Sequence, residues 1–205
     1  MKIGPKYKIC RRLGVAIFEK CQTPKFTQAL AASRSTKIRK HRSGPRSDFA
    51  LQHLEKQKMR FSYGLSEKQF SRYVKEAVEK KGANAVMSLY GRVECRLDNI
   101  VYRLGFAPTR AAARQMVSHG HILVNGTRMN IPSHWVVIGD SVAIAQRSRE
   151  KTLFAGLDER LKERALPVWL SGNLQEKTGT IIREPEFDPG SLAFDLRAVV
   201  EFYSR

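Results

Sequence analysis

The residues of this sequence best equipped for chemistry are two histidines one residue apart, His119 and His121, within TRAAARQMVSHGHILVNG at positions 109 to 126. Three kinds of chemistry use such a pair. On a strand, side chains two apart share a face, so His-x-His can offer two ligands to zinc. A histidine steered by a carboxylate and set beside a nucleophile can act as a general base. Imidazoles among arginines can hydrogen-bond phosphate or a ribose hydroxyl. The neighbouring residues separate these readings. From Asn99 to Gly139 there is no Asp, Glu or Cys, so a third metal ligand or a carboxylate orienter would have to come from a distant part of the fold. No GxxxxGK[ST], GxGxxG or GxSxG motif is present either. What the interval does hold is Arg103, Arg110, Arg114, Gln115, His119, His121 and Arg128, with no negative charge among them. Those are the residue types that meet phosphate and sugar. A plain structural role, two histidines flanking a turn at Gly120, is compatible with binding.

The elements that must position these residues are legible from periodicity. Ser47 caps a helix in DFALQHLEKQKMRFSYG, with Phe49 or Ala50, Leu54 and Gln57 or Lys58 at helical spacing and Tyr63-Gly64 as its end. Ser66 caps a second, whose stripe is Phe70, Tyr73, Val74, Ala77 and Val78 and whose last turn closes at Lys81-Gly82. A third helical run, NAVMSLYGRVECRLDNIVYRLG, alternates Leu97, Ile100, Val101 and Leu104 with Arg96, Asp98, Asn99 and Arg103. After Pro108 a helix restarts at Thr109, with Ala112, Ala113, Met116 and Val117 facing inward. Arg110 and Arg114, one turn apart, share its polar face, where their loss is expected to leave stability unchanged. HILVNGTRMNI reads as a hairpin with a type I′ turn at Asn125-Gly126, and VVIGDSVAIAQ adds strand through Val142 and Ile144. Two short helices therefore feed a small antiparallel sheet.

Charge sets the class of partner. The 205 residues carry 37 Lys and Arg against 19 Asp and Glu, a net charge of +18, which attracts polyanions, nucleic acid first and membrane lipid second. Residues 1 to 60 hold 16 of the cations and 3 of the acids, a net +13. Within them RSTKIRKHRSGPR, 34 to 46, has no acid and little apolar content, so it is expected to be an arm that orders on an anionic partner. No apolar stretch is long enough to span a bilayer, and MKIGPKYKICRRLG lacks the core of a signal peptide. Three scattered cysteines form no disulfide framework and suit a reducing compartment. A soluble intracellular protein, not bound to membrane, is the expectation.

RLDNIVYRLGFAPTRAAARQMVSHGHILVNGTRMNIPS resembles the RNA-binding module of the bacterial small-subunit ribosomal protein number four family. The resemblance extends to SDFALQHLEKQKMRFSYGLSEKQF before it and VVEFYSR after it, nearly the whole chain. It implies an α+β protein: a basic N-terminal arm over 1–46, a helical domain over 47–92 joined by the segment from about 180 to 205, and an RNA-binding domain over 93–179. It implies a cytoplasmic, ribosomal, non-enzymatic role organising small-subunit ribosomal RNA at a multi-helix junction early in assembly. Ribosomal proteins number three and number five would be neighbours, close to where messenger RNA enters, with an influence on decoding accuracy. Arg39, Arg42 and Arg46 would lie near that place, although the chain reads HRSGPRSD where the family carries Pro-Gly-x-His-Gly. The remaining candidates for RNA contact are Arg11, Arg12, Lys56, Lys58, Arg60, Arg72 and Arg96, beside the seven residues of the acid-free interval. Similar modules also occur in pseudouridine synthases and tyrosyl-transfer-RNA synthetases, but the flanks here leave no room for a catalytic domain. A free-standing RNA chaperone recycling ribosomes would not need the family-like ends.

Some members of that family hold zinc on four cysteines, Cys-x2-Cys and then Cys-x4-Cys. Alignment places Cys10 and Cys21 on two of those positions and Tyr7 and Phe26 on the others. Two thiolates cannot close a tetrahedral site, so no cofactor is expected and Tyr7 and Phe26 are expected to pack together or on Ile9 or Phe18. Elemental analysis of the purified protein should find no zinc; one zinc per chain would refute this.

Overall fold

The structure, a computed structural model, describes residues 3–40, 47–79, 85–163, 165–173, 175–188, 190 and 192–204; for 34–40 and 162–163 it describes backbone alone. The chain divides into two compact units, one of residues 1–86 and 188–205 and one of residues 87–187.

In the first unit α1 (Lys6–Leu13) and α2 (Pro24–Lys40) precede α3 (Asp48–Ser62) and α4 (Glu67–Glu79), and α9 (Leu196–Tyr203) closes the chain. The caps follow the sequence: Ser47 Oγ accepts from Ala50 N and Ser66 Oγ from Gln69 N, each at 3.3 Å. Phe70, Tyr73, Val74 and Ala77 of α4 are buried, while Val78 is exposed. Lys81-Gly82 lies outside the described residues. The expected arm is in part a helix, because α2 continues through Lys40 and so takes in the first half of RSTKIRKHRSGPR. Proline at its first position fixes a helical φ, and no Gly or Pro interrupts the Ala, Leu, Gln, Lys and Arg that follow. Lack of apolar content prevents burial but does not prevent a helix from growing out of a folded base. Arg42 and Arg46 lie outside the described residues, as does the side chain of Arg39.

The packing of α9 on α3 and α4 rests on a polar knot. Gln52 donates to Glu201 at 3.1 Å, and Lys56, only 8% exposed, pairs with Glu67 while lying under the rings of Phe202 and Tyr203 at 4.8 and 5.2 Å. Arg60 reaches Glu67 at 3.2 Å, and the Tyr203 hydroxyl donates to it at 3.2 Å.

The second unit contains α5 (Ala85–Glu94, which begins at the boundary), α6 (Leu97–Arg103), α7 (Arg110–Ser118), α8 (Leu157–Glu163) and a five-stranded antiparallel sheet. The strands are β1 (Ile122–Val124), β2 (Thr127–Met129), β3 (Ser141–Ile144), β4 (Leu170–Asn173) and β5 (Thr178–Ile181), in the order β2-β1-β3-β5-β4. The hairpin stands as read: Val124 pairs with Thr127, and Asn125 and Gly126 both take positive φ, 50° and 77°, as a type I′ turn requires. One face of the sheet and the apolar faces of α6 and α7 share a core that includes Leu97, Ile100, Leu104, Met116, Val117, Ile122, Val142 and Ile144. Each such side chain contributes about 1.5–3 kcal/mol on burial.

Two features were not read from the sequence. The single helical run breaks at Cys95-Arg96, because the 132–136 segment crosses there. Leu97 N and Asp98 N donate to the carbonyls of His134 and Pro132 at 2.9 and 3.0 Å, and Val136 N donates to Cys95 O at 3.0 Å. The open amides of α6 thus find partners outside the helix. The β4–β5 hairpin was also missed, since its four-residue strands contain Gly172 and Gly179 and alternate too little to signal.

Glu67 generates a pH dependence. Burial alone would raise its carboxyl, but the hydrogen bond and charge of Lys56, then Arg60 and Tyr203, hold it below the ordinary carboxylate value. Its contribution is complete above the unfolded pKa and lost as pH falls through the lowered folded one. We expect the wild-type melting temperature to fall more steeply between pH 6 and pH 3 than that of Glu67→Gln; parallel curves would remove Glu67 from the acid response.

Candidate RNA interface

The arginines of the acid-free interval are positioned by acids just outside it. Asp98, 3% exposed, receives Nε and Nη2 of Arg96 at 3.0 and 2.7 Å and Nε and Nη2 of Arg114 at 2.9 and 2.7 Å. Glu94, fully buried, receives the Arg103 fork at 3.0 and 2.6 Å. It also accepts from the Asn99 amide at 2.8 Å, while Asn99 Oδ1 accepts from Arg110 Nε at 2.9 Å. The Arg110 guanidinium lies over the Tyr102 ring at 4.4 Å.

This corrects the view of Arg110 and Arg114 as occupants of an expendable polar face. That face points at the start of α6, where guanidinium forks match buried carboxylates and an amide. Arg96 is 3% exposed and has no surface to offer a ligand. Arg103 and Arg114 are different, with 27% and 29% of their side chains exposed, so each is anchored to a buried carboxylate and still reaches the surface. Three guanidiniums meet two carboxylates here and a fourth, that of Arg110, meets the Asn99 amide oxygen, so positive charge is held on rigid elements.

His119 and His121 are not on a strand. His119 ends α7, Gly120 takes φ 68°, and His121 precedes β1. Gly120 N donates to Val117 O at 2.8 Å and His121 N to Met116 O at 3.0 Å, which is a Schellman closure. Gly120 takes the positive φ that favours glycine, and a Cβ there would also displace the Arg128 guanidinium. Arg128 Nη2 donates to His119 O at 3.1 Å. The two imidazoles stand 6.1 Å apart, and His121 Nδ1 lies 2.9 Å from Ser148 Oγ. Among the described residues no group of three His, Cys, Asp or Glu could hold a metal. Gln115, His119 and Arg128 are exposed.

In the first unit Arg11, Arg12 and Arg72 are exposed, and Arg72 makes a surface pair with Glu76 at 3.5 Å and lies 5.6 Å from the centre of the Tyr73 ring. Arg12 and Arg60 line one groove of about 770 Å³ between α1 and α3, with His53 and Phe61. Lys56 is committed to the α9 knot, and Lys58 pairs with Glu55 at 2.6 Å. Lys56 is therefore a support of the fold and not a surface cation, a role its sequence neighbours could not reveal.

The zinc positions do not fit a metal. Cys10 and Cys21 are both wholly buried, and the Cys21 thiol is pushed up to about 11 by burial and by its hydrogen bond to Cys10, against the milder pull of Lys6 and Lys20. The other two corners carry the rings of Tyr7 and Phe26, 5.2 Å apart and tilted by 55°. This is the aromatic contact expected from the sequence.

Comparison with known proteins gives one consistent result. The family model described as ribosomal protein S4/S9 N-terminal domain matches residues 1–89, and that described as S4 domain matches residues 95–142. Proteins named small ribosomal subunit protein uS4 are similar along their lengths: that of Thermus thermophilus is 41% identical over 206 residues, covering 99% of this chain and 98% of its own. Those of Chloroflexus aurantiacus and Roseiflexus castenholzii are 40% and 42% identical over 209 residues, with the same coverage.

The carboxylate network can be tested without RNA. Asp98→Asn keeps the shape but deprives buried Arg96 of the carboxylate it is forked to, so we expect a loss of about 3–5 kcal/mol in urea denaturation. A loss below about 1 kcal/mol would show that the arginines do not depend on Asp98.

Proposed function

The chain belongs to the small ribosomal subunit protein uS4 family, and we infer from this that it is a structural, non-enzymatic component of the small ribosomal subunit in the cytoplasm that binds ribosomal RNA. The observation that carries the reading is the similarity along 99% of the chain, through both compact units.

Beyond that, the RNA contacts are assigned to basic and polar side chains that reach the surface. These are Arg11, Arg12 and Arg72 in the first unit and Gln115, His119, Arg128, the half-buried His121 and the partly exposed Arg103, Arg110 and Arg114 in the second. Arg39, Arg42, Arg46, Lys58 and Arg60 belong to the same basic set by charge. Arg96 and Lys56 act from within, by fixing the elements that carry the others. Fixed guanidiniums favour a folded RNA of definite shape, because backbone and ribose hydroxyls are what such a surface can meet. A multi-helix junction suits that description and supports a role early in assembly. Ribosomal proteins number three and number five as neighbours, nearby messenger RNA and an influence on decoding accuracy complete the proposal.

Two measurements test it. Salt-washed small subunits should contain the protein stoichiometrically. In binding to small-subunit ribosomal RNA, each neutralised phosphate should contribute about 0.7–0.9 to the log-log salt slope. Arg11→Ala and Arg72→Ala should each weaken affinity and reduce the slope by about that amount with an unchanged melting temperature; an unchanged slope would take that residue out of the interface.

A further inference from the structure

The turn between α7 and β1 gathers basic side chains from three parts of the unit. His119 stands at the end of α7 and Arg128 reaches back from β2 to its carbonyl. Arg147 is exposed on the helical turn Gln146–Ser148 that follows β3, and Lys151 is exposed just beyond. Among the described residues, none of Arg128, Arg147 and Lys151 has a carboxylate within ion-pair distance. Arg149 is turned elsewhere, to the carbonyls of Ile144 and Glu176 at 3.4 and 2.6 Å, and Glu150 is exposed and forms no ion pair among the described residues.

His121 adjoins this group, its ring 6.1 Å from that of His119 and its Nδ1 hydrogen-bonded to Ser148, the residue after Arg147. Its ring is half-buried, perpendicular to Phe154 at 6.2 Å, and tied through Nδ1 to Ser148, which is 1% exposed. A serine hydroxyl donates or accepts by rotating. It can therefore hold the imidazole in the neutral form and, equally well, accept from the imidazolium, with no movement of the ring.

We propose that this turn is a phosphate site coupled to a proton: an RNA phosphodiester seated among Arg128, Arg147, Lys151 and His119 is bound together with one proton taken up by His121. The inference rests on the RNA-binding reading above and adds Arg147 and Lys151 to it. In the free protein, burial and then Lys151, His119, Arg128 and Arg147 hold His121 below the ordinary histidine value. A phosphate anion among those same cations cancels their effect on the ring and lifts it again. Affinity therefore rises as pH falls through the bound-state value, by at most tenfold per pH unit for one proton.

The experiment is binding of full-length protein to a small-subunit ribosomal RNA transcript between pH 6 and pH 8 at constant ionic strength, for wild type, His119→Gln and His121→Gln. The wild type is expected to bind several-fold more tightly at pH 6 than at pH 8, beyond any dependence left in His121→Gln, whose glutamine can still reach Ser148. His119→Gln should keep most of the dependence. Equal pH profiles for wild type and His121→Gln, or a dependence lost only in His119→Gln, would overturn the proposal while leaving RNA binding intact. Absence of binding at any pH would overturn the RNA reading itself. In case His121→Gln fails to fold, an NMR titration of the His121 ring in the wild type, with and without inorganic phosphate, decides the point. The midpoint should lie below the ordinary value alone and move up with phosphate, and an unmoved midpoint refutes the coupling.

Discussion

Two carboxylates, Asp98 and Glu94, organise the second unit. Each lies almost out of reach of water, where an unpaired charge would cost several kcal/mol, and each is satisfied only if guanidiniums come to it from other elements. Asp98 therefore ties α6 to α7 through Arg114 and stabilises the break at Arg96, while Glu94 ties the end of α5 to the end of α6 through Arg103. Asn99 extends the chain of bonds to Arg110. Remove the acids and the arginines would repel one another; keep them and a positively charged surface is held at fixed spacing. Preorganisation of this kind lowers the ordering cost that flexible cationic side chains incur on binding.

The first unit solves the same problem with other residues. Glu67 gathers Lys56, Arg60 and the Tyr203 hydroxyl, and the rings of Phe202 and Tyr203 cover the Lys56 ammonium. The last helix of the chain is thereby fastened to α3 and α4 by an ion pair with an aromatic lid. Near the N-terminus Cys10, Cys21, Phe18 and Phe26 form a small apolar cluster with Ile9 and Leu30 against it. An aromatic contact of this sort contributes on the order of 1 kcal/mol beyond burial, far less than a structural zinc. That segment packs on Phe61 of α3, with the Phe18 and Phe61 rings 6.4 Å apart.

Cys95 shows how such surroundings silence a reactive group. Burial first, then Glu94 and Glu184, push its thiol up to about 12, so it remains a small apolar side chain.

Much was legible in the sequence because it depended on residues close together along the chain. Ser47 and Ser66 as caps, the helix restart after Pro108, Asn125-Gly126 as a tight turn, the stripe from Phe70 to Ala77 and the family pattern are all local periodicities or local backbone requirements. The overall charge, and with it the class of partner, is independent of conformation altogether. Tertiary structure alone decided which cations are surface and which are scaffold. Arg96 and Arg114 have the same chemistry, yet the first is buried and the second keeps 29% of its side chain exposed. An interval of 41 residues without acid looks uncompensated on paper, but a carboxylate acts through a few ångströms of space, and Asp98, one residue before that interval, reaches Arg114 sixteen positions on only because α6 and α7 fold back to share a core.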